Sequence, residues 1–318
     1  MSPGLAKNGA IDLPKPPKTL IHYHLPKTGG TTLNILLRGN FPGPARFISK
    51  TGITPSHFWT ESFEALQAKY DALSPAEKEA IRCVTAGHLP WGVHRIFGSE
   101  SKYMTVLRHP VDRVASHFYF VHEYDTSRPF PETMTLDQYI DARIDLGPYD
   151  FQVRMLSGAP ELDVMRTYIP GPIPIVPVED RHLEMAKQNI EDYFIAAAPL
   201  EDFTALVLYL RRIYGWSWAK VLFEEINQTK ARPTLEQIPD STRRRIEELN
   251  RYDIALYEWA KERFRAQIAA LGPSFQRDLR MFDAINRTVR TAGRVVPFGV
   301  RRKLALWLLY RQRNLRGT

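Results

Sequence analysis

The sequence predicts an α/β fold in which a mainly parallel sheet is covered by helices on both faces. Short apolar runs of strand length occur at residues 19–25, 82–86, 103–107 and 194–198. Helical segments separate these runs. A Gly-bearing loop at 26–32 leads directly from the first strand into a helix, the usual opening of such a fold. Strands alternating with helices favour parallel pairing, because the crossover helices then bury both sheet faces.

In chain order, residues 1–18 are rich in Pro, Gly and Lys and read as a disordered leader. The first strand, 19–25, precedes the loop 26–32 and a helix over 33–38. Residues 61–82 read as helical with a break at Ser74-Pro75, where Ser caps and Pro occupies the first turn. A strand at 82–86 ends at Gly87-His88. A strand at 103–107 ends at Arg108-His109, and Pro110 opens a helix to about Tyr124. Six prolines within 145–180 mark an irregular excursion with one short helix at 150–156. Helix follows at 178–192, strand at 194–198, helix at 201–214 and loop at 227–239. Apolar positions Ile246, Leu249, Ile254, Leu256, Tyr257 and Phe264 predict one long helix over 241–270. The expected organisation is a leader at 1–18, a domain at 19–270 and a basic helical extension at 271–318.

Composition narrows the function classes. The lone cysteine, Cys83, excludes an intramolecular disulfide and reads as a small buried hydrophobe. The leader lacks the apolar core of a signal peptide, and no run of apolar residues is long enough for a membrane span. The expectation is a soluble, cytoplasmic protein of a bacterial type. The net charge is +8, yet nine Lys and Arg residues lie after Asp283 with no acidic residue among them. The body is therefore close to neutral, which argues against a general nucleic-acid binder. The tail mixes Val296, Phe298, Leu304, Leu306, Trp307 and Leu308 with Arg301, Arg302 and Lys303. That pattern suits either a basic amphipathic helix on an anionic membrane surface, which would place the protein at the inner face of a membrane, or a helix packed on the body.

Two segments carry chemistry. In Pro26-Lys27-Thr28-Gly29-Gly30-Thr31-Thr32, glycines let backbone N–H groups close on an anion, and the following helix adds its positive end. Lys27 adds a charge, and Thr31 and Thr32 add hydroxyl donors. The lysine precedes the glycines, unlike a Walker A loop, which weakens a kinase or nucleotide-hydrolase reading without removing it. In the second segment, Arg108 stands where a parallel strand ends, and Ser116 lies two turns into the next helix. Both can face one phosphate, Arg108 with a forked cationic contact and Ser116 with a hydroxyl. Arg113 reads as structural, paired with an acidic neighbour. Two anion sites on one sheet edge suit a nucleoside carrying phosphate at both ends.

These residues resemble the sulfotransferases that use 3′-phosphoadenosine 5′-phosphosulfate (PAPS), closest to the branch with the heparan and uronyl 2-O-sulfotransferases. The resemblance covers roughly residues 20–265 and implies a P-loop-like α/β fold. It implies that Lys27, Thr28, Gly29, Gly30, Thr31 and Thr32 hold the 5′ end of PAPS, and that Arg108 and Ser116 hold its 3′-phosphate. Residues 227–232, ending in Arg232, resemble a late loop that closes over the cofactor. The 86–88 segment resembles one whose histidine is the catalytic base, so His88 is the candidate, with His94 as a weaker second. His24, His109 and His117 read as structural. Residues 150–158 resemble an Asn-x-Gln-x-Arg segment, with Asp150 in place of the Asn and an amide contact thereby in question. The implied chemistry is sulfuryl transfer to a hydroxyl acceptor, with Lys27 beside the leaving bridge, PAP as the product and no metal. The acceptor class is a glycan or glycolipid. The alternatives are a P-loop-type nucleotide kinase or a phosphate-binding protein without catalysis.

Overall fold

The computed structural model describes residues 13–48, 53–54, 57–58, 62–85, 88–124, 133–142, 147–162, 175–223 and 237–291. The chain divides into two compact units. One comprises residues 17–200 and 227–262; the other includes 201–226 and 263–318. The second unit thus takes in segments that the sequence divides between the expected domain and its extension.

The first unit is built on a five-stranded, all-parallel sheet. Its strands are β1 (Thr19–His22), β2 (Arg46–Ile48), β5 (Cys83–Thr85), β6 (Ser101–Leu107) and β7 (Phe194–Pro199). A separate two-stranded ribbon pairs β3 (Ile53–Thr54) with β4 (His57–Phe58). The large sheet has the order β2-β5-β1-β6-β7. Every residue of β1, β5 and β7 is buried, as expected of strands covered on both faces. From β1 the chain goes to the outer strand β2, returns to place β5 between β2 and β1, then crosses to the other side for β6 and β7. The order therefore reverses beside β1, and the crevice outside the carboxyl ends of β5, β1 and β6 is where such sheets bind ligands.

The helices of this unit begin with α1 (Gly30–Asn40), α2 (Phe63–Asp71), α3 (Pro75–Ala80), α4 (His94–Phe97), α5 (Pro110–Tyr124), α6 (Leu136–Asp141), α7 (Phe151–Ser157) and α8 (Asp180–Tyr193). The expected break at Ser74-Pro75 is a full capping box. Ser74 accepts from the Glu77 N–H, and the Glu77 carboxylate accepts from the Ser74 N–H at 2.8 Å. The core gathers Ile21, Leu25, Val84, Leu107, Val153, Leu156, Ile190 and Leu256 from strands and helices alike.

The expected long helix over 241–270 is two helices, α10 (Asp240–Leu249) and α11 (Arg251–Ala269). The break has a local cause. Asn250 leaves helical geometry, and its side-chain amide donates to the carbonyls of Pro148 (2.7 Å) and Ile246 (2.8 Å) while accepting from the Asp150 N–H (3.1 Å). The apolar spacing continues across the break, so periodicity alone does not expose it.

In the second unit, α9 (Phe203–Tyr214) packs with α12 (Gly272–Thr291), and the Arg212 guanidinium meets the Asp278 carboxylate at 2.8 Å. Phe275 and Phe282 are fully buried. No helix among the described residues is long and apolar enough to cross a membrane. The expected amphipathic segment of the tail lies outside the described residues.

Candidate active site

Three neighbouring strands deliver the candidate residues to one edge. The loop after β1 carries Lys27 to Thr32, the segment after β5 carries His88, and the joint after β6 carries Arg108.

The β1 loop is held in an unusual shape. Lys27 adopts a left-handed φ of 66°, rare for a residue with a side chain, and Gly29 has φ 82°. Left-handed residues on either side of Thr28 curl the backbone into the type of concavity that gathers N–H groups around an anion. Gly29 caps α1 without any side-chain hydrogen bond, and no acidic residue lies in the first turn to offset the positive helix end. At Gly30 the backbone runs against the His24 ring; a Cβ there would lie 1.9 Å from a ring carbon. Thr28 is buried and spends its hydroxyl on the Leu25 carbonyl at 2.8 Å, closing the turn. Its contribution to an anion is therefore the backbone. Thr31 is exposed and Thr32 buried.

Helix α5 faces this loop. Asp112, Ser116 and Phe120 stand four residues apart, on one helix face. Asp112 pairs with the Arg108 guanidinium. Phe120 lies under the Lys27 ammonium, 3.8 Å from ring centre to Nζ. Ser116, between them on that face, is buried at 4% exposure. The Arg108 guanidinium also donates to the Lys27 carbonyl at 2.9 Å, tying the β1 and β6 loops together. Arg113 turns the other way. It is fully buried, donates to the Gly147 carbonyl and lies near the ring of Phe151, and the acid on which its charge acts is the buried Asp253 of α11.

His88 is 8% exposed, and its Nδ1 lies 3.0 Å from the His24 carbonyl oxygen. A carbonyl only accepts, so Nδ1 carries the proton and Nε2 is the basic nitrogen. The His24 ring lies beside it, with centroids 5.0 Å apart. Burial lowers the His88 pKa below the ordinary imidazole value, partly offset by the bond to His24 and deepened by His117. Neutral imidazole is the form that can take a proton. Behind His24 lies His22, fully buried, hydrogen-bonded to Asn34 at 2.7 Å and held neutral with a pKa lowered to about 4, mainly by burial.

His94, the second candidate, stands elsewhere. It opens α4, accepts Ser101 at its backbone carbonyl, and stacks on Tyr193 with centroids 4.4 Å apart. Ser101 begins β6 and Tyr193 precedes β7, so His94 belongs to the amino edge of the sheet. Arg232 lies outside the described residues.

Sequence reasoning missed Asp112, Phe120 and Asp253. The i, i+4 spacing from Arg108 to Asp112 was a visible signal for the first. Asp150 takes a left-handed φ of 46° before α7, and its carboxylate accepts from the Tyr252 and Asp253 N–H groups, each at 2.9 Å. Among the described residues no cluster of His, Cys, Asp and Glu is placed to hold a metal ion.

A switch-point edge bearing an anion loop, a second cationic joint and a buried neutral imidazole has the layout of a nucleotide-dependent group transferase. Heparan-sulfate 6-O-sulfotransferase 1 of Gallus gallus is 31% identical to this chain over 292 residues, covering 81% of the chain and 68% of that protein. The 6-O-sulfotransferase 1-B of Danio rerio is 29% identical over 282 residues, covering 77% and 66%. The human 6-O-sulfotransferase 1 is 28% identical over 280 residues, covering 77% and 65%. The chain belongs to the sulfotransferase family that includes these heparan-sulfate 6-O-sulfotransferases. It spans about two thirds of the length of these curated relatives. No protein-family model matches it. A sulfotransferase structure from Alicyclobacillus acidocaldarius overlaps 76% of the chain and 94% of its own, at TM-score 0.40 and 14% identity, too loosely to support a statement about this chain. The relatives carry 6-O in their names, where the sequence motifs pointed nearest the 2-O branch. Those motifs were assigned to the donor and carry no reading of the acceptor position.

Proposed function

We propose that this chain transfers a sulfuryl group from PAPS to a hydroxyl of a carbohydrate acceptor. The observation that carries the reading is the convergence of Lys27, His88 and Arg108 on one sheet edge, from three adjacent strands. Family membership supports it, and the names of the relatives support a glycan as acceptor.

The residues present fit the donor. The curled loop and open end of α1 suit the 5′-phosphosulfate, and Arg108 with Ser116 suits the 3′-phosphate. Bound PAPS supplies the activated sulfuryl group. Lys27, whose ammonium rests over the Phe120 ring, then places a positive charge where negative charge grows on the leaving side. His88 takes the acceptor proton at Nε2, while the His24 carbonyl fixes the ring and stabilises the imidazolium that forms. The group that orients the imidazole is thus a backbone dipole. A kinase reading is less well supported, since the lysine precedes the glycines and the loop is not of Walker A type.

Transfer of labelled sulfate from PAPS to a panel of glycans tests this, alongside calorimetry with PAP and AMP in the presence of a chelator. The expected result is transfer to at least one glycan and a clear preference for PAP over AMP without metal. Equal affinity for PAP and AMP, with no transfer, would overturn the reading.

A further inference from the structure

Arg108 sits in the joint between β6 and α5, past the last sheet hydrogen bonds and before the helix begins. One side chain replaces the missing neighbour. The Arg108 N–H donates to Gln152 Oε1 at 3.0 Å, and Gln152 Nε2 donates to the Arg108 carbonyl at 3.0 Å. The fully buried amide of Gln152 thus pairs with Arg108 as another strand would.

Gln152 is itself fixed from both ends of a closed circuit. Its own N–H donates to Asp253 at 3.0 Å, and the Val153 N–H donates to the other Asp253 oxygen at 2.8 Å. Asp253 thereby caps the start of α7. Asp150, just before α7, caps the start of α11, which contains Asp253. Two helices cap each other, and the amide pointing out of that joint grips the backbone of Arg108.

We propose that Gln152 is a positioning residue for PAPS, holding Arg108 so that its guanidinium meets the 3′-phosphate, with the Asp150–Asp253 mutual caps as its anchor. This rests on the assignment of Arg108 to that phosphate. The guanidinium is directed by Asp112 and the Lys27 carbonyl, but both act on the side chain. Gln152 holds both backbone polar groups of Arg108 instead. A neutral amide suits this role because it donates and accepts at once, which neither a carboxylate nor an apolar side chain does.

The experiment compares wild type, Arg108→Ala, Gln152→Met and Asp253→Asn by calorimetry with PAP and AMP, with thermal melts, and by kcat and KM for PAPS. Gln152→Met keeps the volume and removes both hydrogen bonds to the Arg108 backbone, along with the side-chain contact of the amide to Asp253. It should lower the PAP-to-AMP affinity ratio about tenfold, in line with the sensitivity of bound ligands to small misplacements. AMP affinity should stay near wild type, and KM for PAPS should rise while kcat holds. Asp253→Asn should lower the ratio in the same direction, about threefold. A selective loss of PAP affinity supports the proposal. If Arg108→Ala loses the PAP preference while Gln152→Met keeps it, the proposal fails and the phosphate assignment stands. If Arg108→Ala keeps the preference, the phosphate assignment falls and the proposal with it. If Gln152→Met weakens PAP and AMP equally, Gln152 is merely structural and the proposal is overturned. Should Gln152→Met not fold, Asp253→Asn decides by the same criterion.

Discussion

His88 and His94 are six residues apart in sequence and stand at opposite edges of the same sheet. At the carboxyl edge, His88 is held by a backbone carbonyl, beside a left-handed loop and two cations. At the amino edge, His94 is packed in an aromatic stack. Trp91 lies 5.4 Å from Tyr103 and 6.2 Å from Phe194, and the His94 Nδ1 is bonded to the Tyr103 hydroxyl at 2.9 Å. Residue type does not separate the two histidines. What separates them is the polarity of parallel strands, which puts ligand loops at one end and packing at the other.

The broadest effect expected at the carboxyl edge, on rate and binding together, comes from Lys27→Ala. It should lower the transfer rate by about 10²–10³, as loss of an electrostatic stabiliser does, and weaken PAPS binding as well. Stopped assays with labelled PAPS and calorimetry with PAP would read the two losses separately. Loss of binding with an unchanged rate at saturation would remove Lys27 from the chemistry.

Gly30→Ala should follow closely. The new Cβ meets the His24 ring, whose carbonyl holds His88, so PAP affinity and transfer should both fall by at least about tenfold. Wild-type transfer by a folded Gly30→Ala protein would show that the loop tolerates displacement.

Stability at the helix joint gives a smaller effect. Burial, with Asp253 nearby, raises the Asp150 pKa from the ordinary 3.8 to about 7. The folded state then keeps a proton that the unfolded chain has released. The stabilisation is complete below pH 3.8 and is lost as pH rises through about 7. Asp150→Asn keeps an oxygen for the same N–H groups without the charge. It should flatten the pH dependence and raise stability at pH 8 by about 1–2 kcal/mol. Denaturant melts at pH 5 and pH 8 would show it; an unchanged slope would place the titration elsewhere.

The amino edge provides the control. His94→Phe removes the side-chain bond to Tyr103, leaving that from the backbone N–H, and should cost about 1–2 kcal/mol of stability. Its transfer rate should remain near that of wild type. A fall of a hundredfold in kcat would erase the distinction between the edges.

Much of this arrangement was legible in the sequence. The strands before Lys27, His88 and Arg108 each announce themselves by apolar runs, and their carboxyl ends place all three residues on one edge. The edge strand β2 was not legible, because three residues carry no period. The break at Asn250 was hidden by apolar spacing that continues through it. Gln152 stood inside a recognisable motif, yet its partner is backbone, and a backbone contact leaves no mark on the partner's sequence. The acceptor stayed illegible for a different reason: the motifs that stand out are those assigned to the donor, and their spacing says nothing of the acceptor.

The assignment of His88 as the base at the carboxyl edge stands or falls on one comparison. Labelled-sulfate transfer from PAPS to a glycan acceptor is measured for His88→Ala beside wild type, with PAP affinity taken on the same samples. PAP affinity should be unchanged and the rate lower by about 10²–10⁴, the usual loss when general-base help is removed. The wild-type profile should keep activity below the ordinary imidazole pKa, since burial holds His88 neutral there. Transfer by His88→Ala at the wild-type rate would show that another group takes the acceptor proton.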